Sequence, residues 1–416
     1  MAKKVAESLR ALYEERPYPR VTRAGLRQPR WLLPPVEWIQ AVAQPAPYPP
    51  RRILVAGCGT GLEAFAFCRR FPKAEIVGID FAARSIAAAK RLQKHAAGWR
   101  RIRFLCADLT SADLAERTGG SFDFISCHGV LSYLPAPERA LRHLARCLTP
   151  EGVLYLGVNG AGHFSGKWRE FLPAFGFDIR RWPGGRRLWQ HLKFVSALAG
   201  EETDTILQHG AGYLSSDLFG PLIHNLSLSE WVRICRRPGL HLRGSATAQR
   251  RLSPAINNAT VNLFLPRSRA EVAELLDLLC PEAFHRLIFT RQPPPAPPWE
   301  KVGALMRWRP VRTAQFQKFK WPARRDGRLF RLENKSANIA LELRGAGWEI
   351  DLIRGSDGER SLRDILAPLQ RIRARSLTSQ LYLFYLLDLL NFLPPRRTEE
   401  SVREPAAAAK RRASRT

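Results

Sequence analysis

Acidic side chains are scarce in this 416-residue sequence: 37 Asp and Glu stand against 66 Lys and Arg, a formal net charge of +29. That balance excludes an acidic, self-solvating chain and points to contact with nucleic acid, an anionic surface or an acidic protein. A compositional origin competes with that reading. Arginine far outnumbers lysine, alanine and proline are abundant, and the basic residues are scattered rather than gathered in one stripe. Paired cysteines are also missing. The 7 cysteines stand singly at 58, 68, 106, 127, 147, 235 and 280, with no C-x-x-C among them. Neither a disulfide framework nor a structural zinc site is supported, and an intracellular, cytoplasmic setting is expected. Long apolar runs are missing too. The N-terminus has no apolar signal region, and the most apolar stretch, Leu381 to Leu393, is broken by Asp388 and Asn391. It is too short to span a bilayer and is expected to be a buried helix, so no membrane partner is predicted.

What is present is an alternation of short apolar runs with helical patterns. Strands are predicted at Arg52–Ala56, Glu75–Ile79, Arg101–Ala107, Phe122–Ser126 and Gly152–Val158. Helical periodicity falls between them at about 62–71, 83–96, 111–117 and 136–148. This order predicts an α/β fold with a Rossmann-like, doubly wound, mostly parallel sheet and right-handed crossovers. Residues 1–50 read as an N-terminal arm: a helix over 2–16 ended by Pro17 and Pro19, then a proline-rich connector. The core domain is expected over 51–292, with an insertion or lid at about 160–225 where the alternation fails. A helix follows at 227–236, with Ser229 as its predicted cap, and further strands at 240–242 and 287–290. Pro293 to Pro298 forms a second stiff linker. Residues 299–395 are expected to be a small α+β domain, winged-helix-like in outline, with a turn at Asp357-Gly358 and a cap at Ser361. Residues 396–416 have no periodicity and are expected to be a disordered basic tail.

The chemistry should lie at the carboxyl ends of the strands. The first strand runs into Val55-Ala-Gly-Cys-Gly-Thr-Gly61 and then into a helix. Glycines at alternate positions let a backbone turn tightly and approach a ligand. A dinucleotide site wants G-x-G-x-x-G, and position 62 is Leu, so a nucleoside cofactor without a pyrophosphate is expected. The second strand ends Gly78-Ile-Asp80, where a carboxylate can accept bonds from both ribose hydroxyls; Phe81 follows and can cover an adenine ring. The third ends Cys106-Ala-Asp108-Leu109, where a carboxylate can accept from an exocyclic amine. Asp80 and Asp108 are also candidate helix caps.

This ordered series, with Phe122-Asp-Phe-Ile-Ser126 and Leu148-Thr-Pro-Glu-Gly152, resembles the class I, Rossmann-like S-adenosylmethionine-dependent methyltransferases over about residues 51–158. Tyr13 to Arg20 is similar to an element that precedes the core in some bacterial members, and the C-terminal segment to the added domain of members described as having a regulatory domain. The resemblance implies S-adenosyl-L-methionine as cofactor. It implies cofactor binding by Ala56, Gly57, Cys58, Gly59, Gly61, Asp80, Phe81, Asp108, Leu109 and His128. It places Ser126 to Leu134 beside the transferred methyl. His128 is the one base there with a useful pKa, and either serves as the catalytic base or packs on the cofactor edge.

The acceptor is expected to be an O or N atom on a small molecule or a protein side chain. An RNA methyltransferase and a non-catalytic, cofactor-sensing nucleic-acid-binding protein are the alternatives that the charge keeps open. No Asn-Pro-Pro-Tyr or Asp-Pro-Pro-Tyr follows the fourth strand, and Cys127 is not preceded by Pro, so neither adenine or glutamine amino methylation nor cysteine-dependent cytosine methylation has its pattern. Tyr13, Tyr18 and Arg20 are candidate lid residues. His163, Trp168 and Arg169 are candidates for the acceptor pocket.

Overall fold

The structure, a computed structural model, describes residues 2–15, 17–19, 39, 42, 49–179, 185–199, 210–257, 260–313, 329–334, 339–344, 348–367 and 374–396. Arg20, most of the proline-rich connector and the tail from 397 lie outside the described residues. The chain divides into two compact units: residues 1–251 with 267–294, and residues 252–266 with 295–416.

The first unit is built on a seven-stranded sheet: β1 Arg52–Ala56, β2 Glu75–Asp80, β3 Arg103–Cys106, β4 Phe122–His128, β5 Leu148–Asn159, β6 His241–Ser245 and β7 Phe284–Thr290. Their spatial order is β3-β2-β1-β4-β5-β7-β6. β3 to β5 pair in parallel through β2, β1 and β4, while β7 runs antiparallel to both β5 and β6. The order reverses between β1 and β4, which opens a crevice at the carboxyl ends of those strands.

Both faces of the sheet are covered, which is why its strands read as unbroken apolar runs rather than alternations. Leu54, Ile125 and Leu154 face one core, packed with Leu141 and Leu144 of helix Pro137–Cys147 and the fully buried Trp231. Ile53, Val55 and Tyr155 face the other, with Phe65 and Phe67 of helix Leu62–Arg70 and Ile86 of helix Ala83–Gln93. In chain order the helices that matter to the site are α1 Ala2–Glu15, α2 Leu62–Arg70, α3 Ala83–Gln93, α4 Leu114–Thr118, α5 Pro137–Cys147, α6 Ser165–Phe171, α7 Gly185–Ala199, α8 Gly210–Asp217, α9 Leu228–Arg236 and α10 Arg269–Leu279. The stretch expected to be an insertion contains α6, α7 and α8, whose residues Trp168, Leu188 and Leu214 form a separate small core.

Two local expectations need correction. The cap of α9 is Ser227, not Ser229. Ser227 accepts from the backbone N–H of Glu230, which answers through its own carboxylate to the Ser227 N–H. Ser229 lies one residue inside the helix and donates to Glu274 at 2.8 Å. The apolar run 381–393 is also not one helix. Helix Ala374–Leu386 stops, Asp388 takes a left-handed φ of 56°, and the chain continues as strand β11 Leu390–Leu393.

β11 belongs to the second unit, pairing antiparallel with β8 Arg309–Arg312; β9 Leu329–Asn334 and β10 Ile339–Arg344 form a second antiparallel pair. Ser361 caps helix Leu362–Leu366, and Gly358 takes a φ of 82° in the turn before it, both as predicted. Trp299 packs against Tyr382, Tyr385 and Phe392 with ring centroids 5.1–5.2 Å apart. No helix among the described residues is long and apolar enough to cross a membrane.

Candidate active site

A cavity of about 590 Å³ opens at the carboxyl ends of β1 to β4 in the first unit. Its floor is the turn after β1. Every backbone N–H of that turn is already engaged. Gly57 and Cys58 both donate to Ile79 O at 2.8 Å, Thr60 donates to Tyr18 O at 3.2 Å, and Gly61 donates to Cys58 O at 2.9 Å. Gly59 donates to Asp80 Oδ2 at 2.9 Å. A phosphate-binding turn needs such groups free to point at the anion, so this turn is not one.

Glycine is required here by the protein's own packing. Gly57 has a φ of 76°, and a Cβ there would collide with Val130 Cγ2; at Gly59, with φ 51°, it would collide with the Tyr18 carbonyl. Gly61 and Ala56 do not line the cavity. Gly61 lies under the Phe104 ring, and Ala56 is in the core.

Asp80 ends β2 and is held by two backbone donors, Gly59 N–H on Oδ2 and Ala82 N–H on Oδ1, both at 2.9 Å. Each oxygen keeps a further lone pair for a ligand hydroxyl. Burial raises its pKa above the usual carboxylate value, against the pull of those two donors. Asp108, beyond β3, turns Oδ1 back to Thr110 N and Oγ1 at 2.8 and 2.7 Å. Its Oδ2 faces Arg10 at 3.8 Å. Phe81 takes the Tyr13 ring edge-on at 5.9 Å and carries the Arg10 guanidinium over its face at 5.7 Å.

Helix α1 therefore forms one wall. It is clamped by Glu14, whose carboxylate accepts from Ala83 and Arg84 N–H at the start of α3, at 2.6 and 3.0 Å. Tyr13 and Tyr18 both line the cavity.

His128 ends β4, is exposed, and opens onto the cavity. The ring stacks on Tyr155 at 5.8 Å, meets Phe284 at 5.1 Å and rests on the Gly157 backbone. Desolvation by these neighbours first, and the nearby Arg286 second, lower its pKa to about 4. His163, Trp168 and Arg169 do not line the cavity. His163 bonds Ser165 Oγ at 2.7 Å, and Arg169 donates to Leu218 O and Gly220 O at 2.8 and 2.9 Å.

Besides Glu7 of α1, two lining carboxylates escaped the sequence reading. Glu63, in the first turn of α2, accepts from Ser126 Oγ at 2.6 Å, and burial pushes it up to about 7. Asp217, at the end of α8, accepts from the Tyr133 hydroxyl and from Ser216 Oγ, the latter at 2.8 Å; burial raises it to about 6. Glu63 looks in sequence like any acid in a first turn, and Asp217 lies where no period guided the reading. Together with Glu7, Asp80 and Asp108 they make five carboxylates around the cavity against one guanidinium, Arg10, among the described residues. In a chain of charge +29 the cavity is locally acidic. That donor set suits a phosphate-free, cationic ligand with ribose hydroxyls and an exocyclic amine, and repels a nucleotide.

Known proteins agree. Residues 54–154 match the family described as a methyltransferase domain. An uncharacterised protein of Synechococcus is 27% identical over 354 residues, covering 78% of this chain and 80% of its own. The ubiquinone biosynthesis O-methyltransferase of Paracidovorax citrulli is 34% identical over 123 residues, which cover 29% of this chain and 48% of that enzyme. The chain thus spans about half the length of that relative. Among solved structures, PKMT2 from Rickettsia typhi in complex with AdoHcy shares the fold, with a TM-score of 0.55 at 14% identity over 91% of this chain and 77% of that one. Residues 54–154 thus carry a methyltransferase domain, and the Rossmann-like sheet around them is the fold of an S-adenosylmethionine-dependent methyltransferase.

Proposed function

We propose that the enzyme moves a methyl group to an oxygen or nitrogen atom of a small molecule or protein side chain. The acidic cavity, whose glycine turn keeps no free N–H for a phosphate, carries this reading: it favours the sulfonium of the donor and disfavours a polyanionic acceptor such as RNA. S-adenosylmethionine supplies the activated methyl group, so the protein's own work is to orient the partners and manage protons.

In this reading Asp80 accepts the two ribose hydroxyls through its remaining lone pairs. Asp108 Oδ2 accepts the adenine amine, with Phe81 and Leu109 against the ring. Gly57, Cys58 and Gly59 give the donor a smooth, uncharged floor. His128 shapes the edge of the site, its ring laid against Tyr155 and Phe284. The acceptor end is the Tyr133–Asp217 pair, where a buried carboxylate and a phenol can orient a hydroxyl or amine.

Equilibrium binding tests the first half of this reading. Saturable S-adenosylmethionine binding is expected of the wild type, weakened about 100-fold or more in Asp80→Ala by loss of two charge-assisted bonds. No saturable binding up to about millimolar ligand would sink it. Labelled-cofactor turnover on metabolite, protein and RNA extracts then tests the acceptor class, with label in RNA as the refuting result.

A further inference from the structure

The cavity contains a carboxylate with no duty in the adenosine reading and no part in stapling α2. Glu63 sits in the first turn of α2, where an acid would ordinarily face the helix N-terminus. Its side chain instead reaches across to β4 and receives Ser126 Oγ on Oε1 at 2.6 Å. Ser126 is fully buried, and among the described residues Oε2 has no hydrogen-bond partner.

Position along the sheet edge tells what Glu63 meets. The strands run β3-β2-β1-β4 across the crevice. Asp108 lies past β3, Asp80 ends β2, the glycine turn follows β1, and Ser126 lies in β4. A ligand with its adenine at Asp108 and its ribose at Asp80 sends its amino-acid tail over the turn toward β4, where Glu63 lies. That tail carries an ammonium and a carboxylate. A half-buried carboxyl with an open oxygen, held ionised by a cation set against it, recognises the first and repels the second. We propose that Glu63 receives the α-ammonium of the cofactor's amino-acid tail, with Ser126 as the residue that positions its carboxylate. The inference rests on the S-adenosylmethionine site described above.

The test uses three ligands and no methyl acceptor. S-adenosylhomocysteine carries the whole tail. 5′-methylthioadenosine lacks it. 5′-S-(3-carboxypropyl)-5′-thioadenosine keeps the carboxylate but lacks the amine. Calorimetry on the full chain should show the wild type preferring S-adenosylhomocysteine to the deaminated analogue by about 10-fold or more. Glu63→Gln, which retains a group able to bond Ser126, should bind S-adenosylhomocysteine about 10- to 100-fold more weakly. Its affinity for 5′-methylthioadenosine should stay within about twofold of wild type, which also shows that the variant is folded. Equal wild-type affinity for the amine and deaminated ligands overturns the proposal without needing any variant. So does a Glu63→Gln loss of the same size for both S-adenosylhomocysteine and 5′-methylthioadenosine. Failure of the wild type to bind either nucleoside overturns the cofactor site itself.

Discussion

Asp217→Asn should make the ligand-free protein more stable at neutral pH and leave it no more stable in acid. The Asp217 carboxyl is buried, and burial raises it from 3.8 to about 6. A carboxyl raised in the fold binds its proton more tightly there than in the unfolded chain. Its contribution is therefore fully present below 3.8, and stability is lost as the pH rises through about 6. Above that, the ionised group costs the fold about 3 kcal/mol relative to its ordinary value. Asparagine cannot ionise. Its Oδ1 can still accept from Tyr133, and its Nδ2 can donate to Ser216 Oγ, so the polar contacts survive the exchange. Thermal unfolding measured across pH 4 to 8 should show the variant gaining on the wild type as the pH rises. A gain of about 3 kcal/mol corresponds to roughly 5 °C or more for a unit of this size. A difference between the two proteins that is the same at both ends of that range would refute the reasoning. The gain should also come at the expense of turnover, since the group given up is placed at the acceptor end.

Gly57→Ala should destabilise the first unit by about 3 kcal/mol, combining a left-handed φ with the collision against Val130. Adding Val130→Ala should return about 1 kcal/mol or more relative to the sum of the single changes, measured by urea unfolding; strict additivity would show that the collision is not the cause. Ser227→Ala should cost about 1 kcal/mol through loss of the α9 cap. Hydrogen bonds from Ser227 hold the Glu230 carboxyl below its usual 4.5, so that cost should be present at neutral pH and fade as the pH falls past that value.

The parallel part of the sheet was legible because both of its faces are buried. β1 begins and ends where the apolar run does, and β2 and β4 start where expected and run one or two residues further, to Asp80 and His128. The third strand is shorter than predicted because Ala97–Arg101 forms a 3-10 turn in front of it. Asp80 and Asp108 were visible as acids at strand tips, which is a positional signal. Glu63 and Asp217 carry no such signal, because what brings them to the cavity is a contact across the fold, with Ser126 and with Tyr133. The helix expected over 381–393 failed for a related reason. Its apolar composition recorded burial correctly, but not that Leu390–Leu393 would pair with Arg309–Arg312, about 80 residues earlier.

The place of β7 in the sheet has a consequence for how this protein is made. β7 is the last of the seven strands along the chain, yet it lies between β5 and β6. Until Phe284–Thr290 leaves the ribosome, β6 has nothing to pair with and β5 offers an open edge. At ordinary synthesis speed that interval lasts on the order of several seconds. Residues 252–266, which belong to the second unit, emerge within it. The nascent chain therefore carries two unfinished bodies at once, and any continuous fragment that contains the complete sheet must also carry a loose piece of its neighbour.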